Sequence, residues 1–266
     1  LAWSRQVWQL RSRGLLVEAG EVLERATARL PDGADNAWLR LQLVEVVRET
    51  GRLEDARREL RQVTLPPDSV PALRLRHVHV EANLLLQAGS LAEADELLRA
   101  NERLTTLVDD EEQRTAHTLL LAHVAREQQR PEDAITLLEP VVDRLRGQRP
   151  DVRLVQHLTS LGVLHDDVGR FEAGLALHTE AFELAELLGS RYHQVEAATN
   201  LVVSLQSLGR FGEAAPLGEQ MLLAGDYDNV PTLRVNLAYG YFEAGLVADA
   251  LRHYRELTRR EEPHLR

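Results

Sequence analysis

The chain has 266 residues, of which 44% are hydrophobic and 27% charged, and its formal net charge is −11. It is too apolar for general disorder, sits at the size where one core stops growing, and lacks the basic surplus that displaces counterions from nucleic acid. It has no cysteine, which excludes disulfide and thiolate chemistry, and no apolar run near the ~18–20 residues that span a bilayer.

In chain order, apolar residues at i, i+3 and i+4 predict helix pairs at 1–12 with 15–29, 35–50 with 53–63, 70–88 with 91–101 and 111–128 with 131–146. The series continues at 151–168 with 171–188, 191–208 with 211–224 and 230–244 with 247–260. Period-2 alternation and Asn-Gly hairpins are missing, so strands are not predicted. Residues 225–231 read as the most loop-like linker. The basic residues are all Arg and the sole Ile is Ile135; a GC-rich coding bias accounts for this, and it carries no functional weight. The chain starts at Leu1 inside a predicted helix, and no extra capping helix is evident after Arg260, so we read it as a piece of a longer protein.

One phrase recurs at each predicted pair. The clear copies are GRLEDARREL from Gly51, GSLAEADELL from Gly89, GRFEAGLALH from Gly169 and GRFGEAAPLG from Gly209. Weaker copies start at Gly14, Gln129 and Gly245. These anchors are 37, 38, 40, 40, 40 and 36 residues apart by subtraction, a regularity that chance does not produce. Glycine at the anchor takes the left-handed conformation that ends a helix. Five positions later come Ala19, Ala56, Ala94, Ala134, Gly174, Ala214 and Ala250, small enough for close helix packing. Nine positions after the first four anchors come Leu23, Leu60, Leu98 and Leu138. Gln129 stands where glycine is expected, and Pro131 follows in the first helical turn, where its missing N–H costs nothing.

Small residues seven before the anchor, such as Ala122, Gly162 and Ala238, complete a pattern that resembles the tetratricopeptide repeat. Trp3 falls at that family's Trp position and Pro31 at its closing Pro. The resemblance implies an all-α, right-handed solenoid of about seven helix-turn-helix repeats, at about 1–31, 35–66, 70–106, 111–148, 151–189, 191–226 and 230–260, forming one domain over 1–266. The period departs from the usual ~34, and Gln6 and Glu81 stand where Leu is usual. Long-period arrays resemble the sensor regions of bacterial multidomain transcriptional regulators, such as the maltose-regulon activator class.

In this family the first helix of each pair lines a concave groove that takes an extended peptide or a helix. Positions thirteen, nine, six and two before each anchor share one helix face. The nine-before set is Arg5, Gln42, Val80, Leu120, Ser160, Asn200 and Asn236; the six-before set includes Asn83, His123 and Tyr239; the thirteen-before set includes Arg76, Gln156 and Glu196. Asn200 and Asn236 are the sharpest candidates, because an amide offers both a donor and an acceptor to a peptide backbone. The competing reading is that these amides satisfy polar contacts within the protein. The family's chaperone-tail variety grips a terminal carboxylate with Lys and Asn; the absence of Lys and the presence of Glu196 argue against that activity here.

Catalysis finds no foothold. His165, Asp166 and Asp167 are adjacent on a helix and point apart, so they read as a solvated helix end and not a metal site. His77 and His79 face different directions, and His117 and His157 read as packing residues. Asp226 and Asp228 lack the glycine and distal glutamate of a calcium loop. Asp109, Asp110, Glu111 and Glu112 read as a helix start. The expectation is a protein- or peptide-binding scaffold with no cofactor, no metal, no direct nucleic-acid or membrane contact, a cytoplasmic location, and scope for self-association through its end repeats. The alternative is an effector-sensing domain of a larger regulator.

Overall fold

A computed structural model of the chain describes residues 2–11, 15–223 and 230–261. Every regular element among these residues is a helix. They form two compact units, 1–130 and 131–266.

The first unit holds α1 (Ala2–Arg11), α2 (Leu16–Thr27), α3 (Ala34–Glu49), α4 (Leu53–Leu60), α5 (Pro71–Gln87), α6 (Leu91–Ala100), α7 (Glu102–Thr105) and α8 (Glu111–Glu127). The second holds α9 (Pro131–Arg146), α10 (Val152–Asp167), α11 (Phe171–Leu187), α12 (Arg191–Ser207), α13 (Phe211–Leu222), α14 (Val230–Glu243) and α15 (Val247–Glu261). These spans follow the predicted pairs. The short helix α7 was not anticipated, because four residues show no period.

The turns behave as the glycine spacing requires. Gly89 has φ 75°, its N–H reaches Leu86 O at 3.0 Å, and the Ser90 N–H reaches back to Leu85 O at 2.9 Å. That pair of bonds is a Schellman motif, which satisfies carbonyls the helix end leaves open. The same geometry recurs where Arg170 N reaches His165 O, Arg210 N reaches Leu205 O and Leu246 N reaches Tyr241 O. Gln129 adopts it too, with φ 60°. The repeat therefore imposes a left-handed residue where the sequence offers no glycine. Gly14 and most of the 225–231 segment lie outside the described residues.

Helix starts are capped where aspartate was placed. The Asp110 carboxylate accepts from Glu112 N at 2.9 Å, and Asp151 accepts from Arg153 N at 2.9 Å. In the first unit, Asn36 is buried and its amide donates to Thr27 O at 3.0 Å and Leu30 O at 2.9 Å, closing the end of α2 against α3.

The core follows the small-and-large alternation of the phrase. Ala19, Ala56, Ala94, Ala134, Ala214 and Ala250 are all buried. Leu23, Leu98 and Leu138 are fully buried, each worth roughly 1.5–3 kcal/mol. In the first unit α3 touches α5 and α5 touches α8; in the second, α10, α12 and α14 touch in that order. The second helix of each pair fills in between, as α11 does between α10 and α12. No helix among the described residues is long and apolar enough to cross a membrane.

Candidate functional site

The outward face of α10, α12 and α14 gathers five of the eight predicted residues within the second unit. Asn200 on α12 and Asn236 on α14 are each half-buried, nine residues before their turns. Neither side-chain amide has a hydrogen-bond partner among the described residues; beyond the helix's own bonds, the backbone carbonyl of Asn236 accepts from Gln206 Nε2 at 3.0 Å. Both amides therefore keep donor and acceptor free toward solvent. One turn before Asn200 lies Glu196, half-buried and without a hydrogen bond or ion pair among the described residues; burial pushes its carboxyl above the usual glutamate range. Gln156 on α10 is exposed, and its Nε2 lies 3.5 Å from His193 Nε2 on α12. Tyr239 stands 54% exposed on α14.

The first unit arranges its candidates differently. Asn83 donates to Glu45 Oε1 at 3.2 Å, a bond between α5 and α3 that binds successive repeats together. Glu45 is itself buried and held by Arg48 at 2.9 Å. Arg76 is half-buried with its Nε enclosed and unbonded, and His123 is exposed. Two members of the nine-before set are not on a surface at all: Val80 and Leu120 are buried in the core. Tight packing of α5 against α3 and α8 draws that position inward, so this face of the first unit is no open trough there.

Residues 10–76, 115–140 and 231–256 match tetratricopeptide repeat families. The fold is of the tetratricopeptide-repeat kind. No curated protein matches the sequence. Among solved structures, it resembles a signal transduction ATPase with numerous domains and a tetratricopeptide repeat sensor from Pyrococcus horikoshii, at 14% identity and a TM-score of 0.74, over 96% of this chain and 40% of that one. It also resembles a Rap protein complexed with competence and sporulation factor, at 14% identity and a TM-score of 0.71, over 97% of this chain and 74% of that one. The nearly identical repeats of a Podosopora anserina putative kinesin light chain align at 19% identity and a TM-score of 0.62, over 74% of this chain and 99% of that one. At these identities the likeness is one of fold.

Inside the tetratricopeptide array lie polar clusters that the sequence reading missed. His178 occupies the nine-after position that carries leucine in earlier repeats, and it is fully buried. Its Nε2 lies 3.2 Å from Asp166 Oδ2, which also accepts from the buried Ser204 hydroxyl at 2.7 Å. Asp166 is thus turned inward, which corrects the reading of residues 165–167 as a solvated helix end. Gly162 and Gly174 make the room: a Cβ at Gly162 would sit 2.5 Å from the His178 ring, and one at Gly174 would sit 2.1 Å from Asp166 Oδ1. The signal was present as departures in neighbouring repeats: Gly174 where alanine is usual, His178 where leucine is usual, and Ser204 where an apolar residue is usual. Although Ser, His and Asp come together, aspartate is the central member: the Ser204 hydroxyl donates its hydrogen bond to Asp166 and not to His178, so the order is not the histidine-centred one of a hydrolase triad.

A second cluster joins α13 to α15 through α14. Glu219 Oε1 accepts from Arg252 at 2.8 Å and Tyr241 at 3.1 Å and lies 3.0 Å from the buried His253 Nε2. Burial alone would raise the Glu219 carboxyl, but Arg252, His253 and Tyr241 outweigh it and hold it below its usual range. Tyr241 stacks on His253 at 5.4 Å. These groups bond one another, while His253 Nδ1 is buried without a partner among the described residues. No group of three or more metal-ligating side chains occurs among the described residues. Asp226 and Asp228 lie outside them.

Proposed function

We propose that the chain is a binding scaffold, and that the outward face of α10, α12 and α14 takes a protein or peptide segment. One observation carries the reading. Asn200 and Asn236 repeat the same position on adjacent helices, and each presents an amide with no hydrogen-bond partner among the described residues. Elsewhere the amides are spent on structure, as Asn36 and Asn83 are. Backbone amides of a bound segment would supply the missing partners, each bond worth about 0.5–1.5 kcal/mol. Gln156, Glu196 and Tyr239 border the pair and would contact the segment's side chains; Arg76 and His123 are candidates for a separate contact on the first unit, where the Asn83 amide is already held by Glu45.

The reading includes no catalysis, no cofactor and no direct contact with nucleic acid or membrane, a cytoplasmic location, and self-association at the end repeats. A second reading, an effector-sensing region of a larger bacterial regulator, draws support from the likeness to a repeat sensor of which this chain spans 40%. Selecting peptides from a displayed random library on the intact chain, then titrating one against Asn200→Ala/Asn236→Ala, tests the binding role. A tenfold or greater loss is expected. Unchanged affinity refutes the assignment.

A further inference from the structure

Twelve positions make up the face of α10, α12 and α14 at thirteen, nine, six and two before the turns. They read Gln156, Ser160, Val163 and Asp167; then Glu196, Asn200, Val203 and Ser207; then Thr232, Asn236, Tyr239 and Glu243. Carboxylates stand in every one of the three helices, and none of the twelve positions carries arginine, lysine or histidine. The face therefore carries formal negative charge and no formal positive charge at these positions.

The three carboxylates differ in circumstance. Asp167 and Glu243 are exposed, and Asp167 already interacts with another group of the protein. Glu196 is half-buried and makes no hydrogen bond or ion pair among the described residues. Other enclosed carboxylates of this unit are served internally: Asp166 by Ser204, and Glu219 by Arg252 and Tyr241. A carboxylate left partly desolvated and unpaired loses free energy that a matching cation restores. Its place one turn before Asn200 puts it beside the amide that would hold the segment's backbone.

We infer that the segment bound by this face is basic, with one arginine or lysine side chain pairing with Glu196. This rests on the binding role proposed for Asn200 and Asn236. Asp167 and Glu243, at the outer ends of their helices, add attraction to further cationic residues and so raise the rate of encounter more than the final affinity.

A displayed library of random twelve-residue peptides, selected on the intact chain, tests this. The variants are Glu196→Gln, Asn200→Ala/Asn236→Ala, and Glu183→Gln, which removes an exposed carboxylate on α11. Enrichment of arginine or lysine, with affinity about tenfold weaker in Glu196→Gln and within twofold of wild type in Glu183→Gln, is the expected result. Equal losses in Glu196→Gln and Glu183→Gln would mean attraction to net charge alone and would overturn the pairing. Selected peptides without basic residues, insensitive to Glu196→Gln but weakened by the asparagine pair, would overturn this inference and leave the binding role standing. Peptides indifferent to all three variants would overturn both.

Discussion

His79 Nε2 on α5 lies 3.2 Å from His117 Nδ1 on α8, and both rings are buried. The bond joins one repeat to the next and requires at least one ring to be neutral. Burial, with the neighbouring His117 and Arg76, lowers His79 to about 3. Burial likewise lowers His117, against the pull of Glu102.

A pH dependence of stability follows. In the unfolded chain these rings titrate near 6.5; in the fold burial lowers both, His79 to about 3. Stability is therefore complete above about 6.5 and declines as pH falls toward the folded values, by at most about 1.4 kcal/mol per pH unit per ring. Urea unfolding at pH 7.5 and 5.5 should show wild type losing more stability on acidification than His79→Leu/His117→Leu. His77, His165, His193 and His253 are also lowered, so the difference between the two proteins is the informative quantity.

Gln129 holds φ 60° at a turn where the other described repeat turns use glycine. A side chain there costs roughly 1–2 kcal/mol, part of which glycine's looser unfolded chain offsets. Gln129→Gly should raise stability by about 0.5–1 kcal/mol, and Gln129→Val should lower it. Thermal unfolding of both variants checks the direction.

Gly174 sits where most repeats carry alanine, so helix propensity favours Gly174→Ala by about 1 kcal/mol. The structure reverses the sign. The new methyl would meet Asp166 Oδ1 at 2.1 Å and the Gly162 carbonyl at 3.0 Å, and Asp166 is tied to His178 and Ser204. A net loss of about 1–3 kcal/mol is expected in chemical denaturation. A gain would show that Asp166 moves aside freely.

Two kinds of asparagine should separate by stability alone. Asn36→Ala leaves the carbonyls of Thr27 and Leu30 without their donor inside the first unit, at a cost of about 1–3 kcal/mol. Asn200→Ala and Asn236→Ala break no side-chain hydrogen bond among the described residues and should stay within about 0.5 kcal/mol of wild type. A large loss from either would make it a structural residue.

The helices were legible because glycine, alanine and leucine recur at fixed offsets, and each offset has one mechanical meaning: turn, close approach, core. The face around Asn200 and Asn236 was legible for the same reason, since a position in the phrase fixes a side of the helix. What sequence could not supply was depth. Val80 and Asn200 share a position, yet one is buried by the packing of α3, α5 and α8 and the other is not. Asn83 looked like a groove residue until Glu45 proved to be its partner. The Asp166 cluster was hidden because it spans residues 38 apart in sequence and depends on two missing side chains.

Photo-crosslinking reads the contact itself. A peptide selected on the intact chain is irradiated with protein carrying p-benzoylphenylalanine either at Tyr239, on the face of α14, or at Glu183, on α11. An adduct from position 239 and none from position 183 is the predicted result. Adducts from position 183 alone would place the bound segment on the opposite side of the repeats and contradict the assignment.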